Sequence, residues 1–260
     1  MSLFDLNDKT IAITGGYGHL GKAMTLALLD AGASVHVLGR SHEKFEEAFG
    51  KRASEVGFIF CDLNDTPSIL NASKVLDSKI GKLDVLINNA ISAPHWSGEL
   101  KSESSFSRLW ADALQGGLIS VTTLTESLLP LLRGSGNGSI INIGSMYGMV
   151  APDFRIYTEH QIPSPDYYAA TKGALIQWTR YLAVKVASDG IRVNCVSPGP
   201  FPKPSVQRDT MFCENLKSRV PMGRLGEPKD LNGIITFLAG DSASYITGQN
   251  IAVDGGWTAW

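Results

Sequence analysis

Thr10-Ile11-Ala12-Ile13-Thr14-Gly15-Gly16-Tyr17-Gly18-His19-Leu20-Gly21 is the stretch that decides the fold of this chain. Its first five residues form an apolar, β-branched run of the kind buried on both faces of a sheet. Gly15, Gly16, Gly18 and Gly21 follow, and from Leu20 to Leu29 the apolar residues recur at helical spacing. A strand that passes through a glycine-rich turn into a helix brings backbone amides and the helix N-terminus to one point. Such a point suits a pyrophosphate. The reading is therefore a dinucleotide site made by Gly15, Tyr17, Gly18, His19 and Leu20.

Outward from this unit, further short runs read as strands: Ser34 to Leu38, Gly57 to Phe60, Asp84 to Ile87, Ser139 to Ile143, Ile191 to Val196 and Asn250 to Val253. Helical patterns fall between them, at Pro67 to Leu76 and Ser120 to Leu132 among others. Strands alternating with helices predict an α/β fold: one Rossmann-like, doubly wound parallel sheet of about seven strands with helices on both faces. The whole chain, 1–260, is read as one domain. Residues 149–166 and 197–218 break the rhythm with clustered prolines and follow strand carboxyl ends, where such sheets bind ligands. They are the expected substrate loops.

Composition narrows the function. A hydrophobic fraction of 43% against 18% charged residues supports a sizeable core and argues against disorder. The net charge of −2 offers nucleic acid or an anionic membrane no electrostatic attraction, so a small-molecule substrate is the expected partner. With no leader-like segment and no apolar run near the roughly 18 residues of a membrane span, a cytoplasmic location is expected. Cys61, Cys195 and Cys213 are widely spaced and odd in number, which suits reduced thiols better than disulfides or a metal site.

Two features point to the chemistry. The second strand ends in Val37-Leu38-Gly39-Arg40. A carboxylate there would accept the ribose hydroxyls of NAD, whereas Gly39 removes it and Arg40 supplies a guanidinium fork for a phosphate monoester. His42 and Lys44 add to the expected positive charge. NADP(H) is thus the expected cofactor, with NAD(H) as the alternative. Farther on, Tyr168 and Lys172 stand four residues apart, so on a helix they share a face. A cation beside a phenol favours the phenolate, and the expectation is that Lys172 lowers the pKa of Tyr168.

Taken in order, residues 14–21, Asp62, Asn88-Asn89-Ala90, Ser145, Tyr168 with Lys172, Pro198-Gly199 and Asp254-Gly255-Gly256 resemble the short-chain dehydrogenase/reductase family along essentially the full length. The resemblance implies Tyr168 as general acid or base, Lys172 as its pKa-lowering partner and ribose holder, and Ser145 as donor to the substrate oxygen. It implies cofactor contacts from Asp62, Leu63, Asn89, Ala90, Ile91, Pro198, Gly199 and Phe201, and assembly as a homodimer or homotetramer.

Four departures accompany the match. His19 stands at the family's central glycine, so a positive φ there would strain it and Gly18 is expected to serve the turn. Ile91 replaces a glycine and is expected to narrow the groove. The family's catalytic Asn aligns near Leu114, where no Asn occurs, with Gln115 as its candidate substitute. Ser145 and Tyr168 are 23 residues apart, because residues 149–166 contain an insertion bearing Asp153, Arg155, Tyr157, Glu159 and His160. These polar groups suit a sugar, sugar acid or polyol. A 3-oxoacyl thioester and a xenobiotic ketone are alternatives, and a sensor or scaffold that binds NADP(H) with little turnover is the alternative of another class.

Overall fold

The computed structural model describes residues 4–91, 103–158 and 161–260. Each apolar run becomes a strand: β1 (Thr10–Thr14), β2 (Ser34–Gly39), β3 (Val56–Phe60), β4 (Val85–Asn88), β5 (Gly138–Ile143), β6 (Ile191–Pro198) and β7 (Asn250–Val253). All pairings are parallel, in the order β3-β2-β1-β4-β5-β6-β7. The order turns outward on either side of the β1/β4 junction, and a crevice at the strand carboxyl ends results.

Alternation along each strand sends side chains to opposite faces. Ile11, Ile13, Val85 and Ile87 join one core with Met24 and Leu28 of α1 (Gly21–Asp30), Phe45 and Phe49 of α2 (His42–Phe49) and residues of a later helix. Ala12 and Leu86 face the other core, built with Ile69, Ala72 and Leu76 of α3 (Thr66–Ile80). Helix α3 runs longer than its apolar pattern because Asp65 caps the Ser68 amide and Gly81, at φ 67°, ends it. No described helix is long and apolar enough to cross a membrane.

The crossover from β4 to β5 carries α4 (Glu103–Leu114), a single π-turn over Gln115–Ile119, and α5 (Ser120–Ser135). After β5 come two short 3-10 turns, Met146–Gly148 and Phe154–Ile156, and then α6 (Asp166–Val186). Helices α7 (Pro204–Gln207) and α8 (Thr210–Lys217) follow β6, and α9 (Asn232–Ala239) completes the first core with Ile235 and Leu238. A third apolar cluster lies apart from the sheet. There Met146, Ile156, Leu216, Val220 and Trp257 pack with Tyr147, Tyr157, Phe212 and Leu225. It joins the two expected substrate loops to the C-terminal segment. Glu159 and His160 lie outside the described residues.

Candidate active site

At the carboxyl end of β5 the chain turns sharply, and the Ser145 hydroxyl accepts the Tyr147 amide at 3.2 Å, which fixes its rotamer. Ser145 is buried and hydrogen-bonded to the Tyr168 phenol. Tyr168 sits in the first turn of α6, and Lys172 lies one turn on, with Nζ 6.0 Å from the Tyr168 ring centroid. The ammonium donates to the Ile143 carbonyl at 2.6 Å. The three side chains expected from sequence therefore meet at one point.

Their electrostatics differ from the expected coupling. Burial raises the Tyr168 pKa, opposed by the hydrogen bond from Ser145. Burial also lowers Lys172 to about 8. Desolvation wins over ion–phenolate attraction because Nζ is aimed at a backbone carbonyl and held some way from the phenol. The expected lowering of the Tyr168 pKa by Lys172 is thus absent from this state, and the phenol stays protonated at neutral pH.

The glycine turn forms the other half of the crevice. Gly15 donates to the Leu38 carbonyl at 2.8 Å and adopts φ +61°, and a Cβ there would stand 2.9 Å from that of Ala90. The positive φ falls at Gly15, so His19 keeps an ordinary backbone and Gly18 does not take up the special role expected of it. Leu20, at the start of α1, provides no side-chain cap; the Lys22 amide donates to the Gly18 carbonyl at 2.9 Å, and the Gly21 amide has no such backbone bond among the described residues. The His19 ring binds the Phe201 backbone, and its Nε2 is buried with no hydrogen-bond partner. A cradle that a side chain would fill, an uncapped helix N-terminus and an unsatisfied imidazole nitrogen fit a pyrophosphate.

Next to this turn is a groove of about 170 Å³ lined by Gly15, Tyr17, Gly18, Arg40, Asp62 and Ile91 among others. The Tyr17 phenol accepts the amides of Arg40 (3.1 Å) and Ser41 (3.2 Å) and lies where a Gly39 side chain would go. The Arg40 guanidinium has no ion pair among the described residues, whereas His42 packs edge-on against Phe58 and faces Glu46. His42 is thus turned to its own helix and is not among the residues that line the groove.

Several expected contacts are placed by backbone and braced by side chains. Asn89 Nδ2 donates to the carbonyls of Thr14 (2.9 Å) and Gly15 (3.1 Å), so its amide straps the turn. Asp62 Oδ1 accepts the Asn64 amide, and Leu63 is buried in the second core while also lining the groove. Pro198 ends β6, and Gly199 donates to the Val253 carbonyl at 3.0 Å. Phe201 packs onto the first core. The position that faces Tyr168's helix across the π-turn is Gly117, three residues beyond Leu114: a Cβ there would stand 2.5 Å from Thr171 Cγ2 and 3.5 Å from Ile91 Cδ1. One buried network escaped the sequence reading. Asn88 Nδ2 donates to Asn142 Oδ1 at 2.8 Å, and Asn142 Nδ2 donates to Thr179 Oγ1 at 2.9 Å, tying β4, β5 and α6 together under the site. Its traces were Asn88 in the Asn88-Asn89-Ala90 motif and an Asn inside the Ile-rich run of β5.

A dinucleotide cradle, a serine and a tyrosine–lysine pair around one crevice define an oxidoreductase of CH–OH and C=O groups that uses NAD(P). Comparison agrees. A family model described as Enoyl-(Acyl carrier protein) reductase matches residues 18–258. A tropinone reductase homologue of Arabidopsis thaliana is 34% identical, covering 98% of this chain and 93% of that protein. Among solved structures, the Pseudomonas aeruginosa RhlG/NADP active-site complex superposes with a TM-score of 0.85 at 30% identity, covering 99% of both chains. A short-chain dehydrogenase from Leptospira borgpetersenii with bound NAD+ gives 0.84 at 31%, covering 98% and 95%. A gluconate 5-dehydrogenase from Burkholderia cenocepacia with NADP and tartrate gives 0.85 at 26%, covering 99% and 98%. The chain belongs to the short-chain dehydrogenase/reductase family.

Proposed function

We propose that this protein is an NADP(H)-dependent oxidoreductase that interconverts a carbonyl and a secondary alcohol, with Tyr168 as general acid and base. The observation that carries the proposal is the meeting of Ser145, the Tyr168 phenol and the buried Lys172 ammonium at the carboxyl end of β5. When bound, the cofactor supplies or accepts the hydride. In reduction, Ser145 donates a hydrogen bond to the carbonyl oxygen as negative charge grows there. Tyr168 gives its proton to that oxygen, and burial keeps the phenol in the protonated form this step needs. Lys172 holds a proton at Nζ with a pKa of about 8 and keeps a positive charge 6.0 Å from the centre of the Tyr168 ring.

The preference for NADP(H) rests on the end of β2. Tyr17 Oη accepts two amides, so its remaining capacity is to donate its proton, and the neighbouring Arg40 fork also only donates. Acceptor-only groups such as a ribose phosphate suit that pair. The polar insertion supports a hydroxylated substrate such as a sugar, sugar acid or polyol, and the gluconate 5-dehydrogenase likeness points the same way. Exposed Tyr181 and Val184 on α6 support a homodimer or homotetramer, which light scattering after size exclusion would test.

NADPH and NADH oxidation should be followed across a panel of hydroxylated ketones and keto acids, with wild type and Tyr168→Phe. NADPH-dependent turnover lost in the variant is expected. Tight NADPH binding with no turnover of any carbonyl would instead favour a sensor.

A further inference from the structure

We propose that Arg155 and Arg219, walled by Trp257 and Trp260, form a subsite for an anionic group of the substrate, a carboxylate or a phosphate. The inference deepens the reductase reading and rests on Ser145, Tyr168 and Lys172 being the reaction centre. A cleft of about 290 Å³ is lined by Val150, Asp153, both arginines and both tryptophans. Asp153 is its one carboxylate side chain and faces two guanidiniums: Arg155 donates through Nε at 2.8 Å and Nη2 at 2.9 Å, and Arg219 Nε lies 3.1 Å away. These contacts hold Asp153 down to about 2, so it is ionised and offsets part of the charge of the two guanidiniums.

Donors remain. Arg155 Nη1 and both terminal nitrogens of Arg219 make no hydrogen bond among the described residues, so the arginines present a partly filled fork of the kind that binds oxyanions. Asp153 holds the fork in place in the meantime. The flat tryptophan faces give a ring or chain attached to the anion a surface to lie on.

The cleft is positioned from both expected substrate loops. Asn215 Nδ2 donates to the Ile156 carbonyl at 3.0 Å, Gln161 donates to Asp209, and the Tyr157 and Phe212 rings stack at 5.5 Å. The third apolar cluster is its floor, with Trp257 shared between floor and wall. It also communicates with the catalytic corner. Met146 and Tyr147 pack in the same apolar cluster as Trp257, and the Tyr147 amide donates to the Ser145 hydroxyl at 3.2 Å. A substrate whose carbonyl meets Ser145 and Tyr168 can therefore extend past Tyr147 and place an anion at the arginines.

The test compares matched pairs in NADPH-dependent reduction: keto-gluconate, levulinate and phenylglyoxylate, each beside its methyl ester, and dihydroxyacetone phosphate beside dihydroxyacetone. At least one charged member should exceed its neutral partner in kcat/KM by about tenfold, the value of one charge-assisted hydrogen bond. The carboxylate and phosphate arms show which anion is favoured. Arg155→Met and Arg219→Met should lower that ratio about tenfold through KM, with Arg219→Lys intermediate because the fork is lost and the charge kept. A ratio near one for every pair in the wild type, or one that survives both substitutions together, overturns the proposal.

A second readout does not need turnover. Tryptophan fluorescence of the NADPH-loaded enzyme should change saturably on titration with glutarate or glycerol phosphate, and not in the double variant at an unchanged melting temperature. No saturable change with either anion overturns the subsite. If the anions bind but no carbonyl is reduced, the subsite stands and the reductase reading falls. If neutral ketones are reduced but no anion binds, the subsite falls and the reductase reading stands.

Discussion

Replacing Lys172 with methionine should change how the stability of this protein depends on pH, by an amount the structure sets. The folded protein holds Lys172 at about 8, against an ordinary value of 10.5. Between these values the unfolded chain binds more protons than the folded one, so the lysine makes stability rise with pH. The full gap is worth about 3 kcal/mol, with about 1 kcal/mol gained by pH 9 and about 2–3 kcal/mol by pH 10. Near pH 7 the group is charged in both states, and the folded protein carries the cost of burying it. Methionine fills a similar volume and does not titrate. Urea unfolding of wild type and Lys172→Met, both free of cofactor, at pH 7, 9 and 10 reads chiefly this group, because the others cancel in the difference except for the smaller response of Cys195, whose thiol is coupled to the ammonium. The free-energy difference between the two proteins should shift toward the wild type by about 2–3 kcal/mol from pH 7 to pH 10. Parallel curves within about 0.5 kcal/mol, the ordinary scatter of such differences, would refute the burial argument and place Nζ in water.

Four further outcomes are expected. Tyr168→Phe should lower kcat for carbonyl reduction by about 10²- to 10⁴-fold while NADPH binding persists, as measured by stopped-flow turnover and titration. Arg40→Ala should raise KM for NADPH by about tenfold or more and leave that for NADH nearly unchanged, the loss of a charged hydrogen bond. Gly39→Asp alone should weaken both cofactors, because its Cβ meets the Tyr17 ring and stands 2.7 Å from the phenol oxygen, whereas Gly39→Asp with Tyr17→Ala should bind NADH better than NADPH. The pH profile of kcat/KM for reduction should be flat toward acid and fall with an apparent pKa near 8 as Lys172 loses its charge, and Lys172→Arg should move that limb upward.

The sheet was legible because each strand is covered on both faces and so reads as a continuous apolar run. All seven runs fall in strands, at most about two residues short at an end. The terminal slips have local causes. Asp84 was read as the start of a strand and stands just before β4: its backbone already bonds Thr10 and Ser139, and its carboxylate accepts the Thr10 amide at 2.8 Å and the Ser135 hydroxyl at 2.7 Å, which bolts the foot of the strand. Tyr168, Lys172 and Ser145 were legible from spacing and order. The direction of the Lys172 ammonium was not, because it depends on the Ile143 carbonyl, 29 residues earlier. Nor was the way residues 149–166 fold onto the segment after β6, which needs contacts between partners far apart in sequence, such as Asn215 with Ile156.

The π-turn after Leu114 decides which residue of this crossover faces α6 and brings two departures together. A π-turn closes its hydrogen bonds one residue later than an α-turn, so the residues after Leu114 are rotated from where a regular helix would put them. With the turn in place, Gly117 faces α6, and the room left by its missing side chain is bordered by Ile91, with Cδ1 3.5 Å and Cγ1 3.6 Å from where a Cβ would stand. Ile91 and Gly117 are thus a matched exchange of bulk across one gap. The fit is tight on its other side, because the same Cβ would lie 2.5 Å from Thr171 Cγ2. Gly117→Ala should therefore cost about 1–3 kcal/mol in urea unfolding, as overpacking does. Thr171→Ser removes the clashing methyl but keeps the hydroxyl that donates to the Tyr167 carbonyl at 2.7 Å, and should recover most of that loss. If Gly117→Ala is neutral, or Thr171→Ser gives no recovery, Gly117 does not face Thr171 and the exchange with Ile91 fails with it.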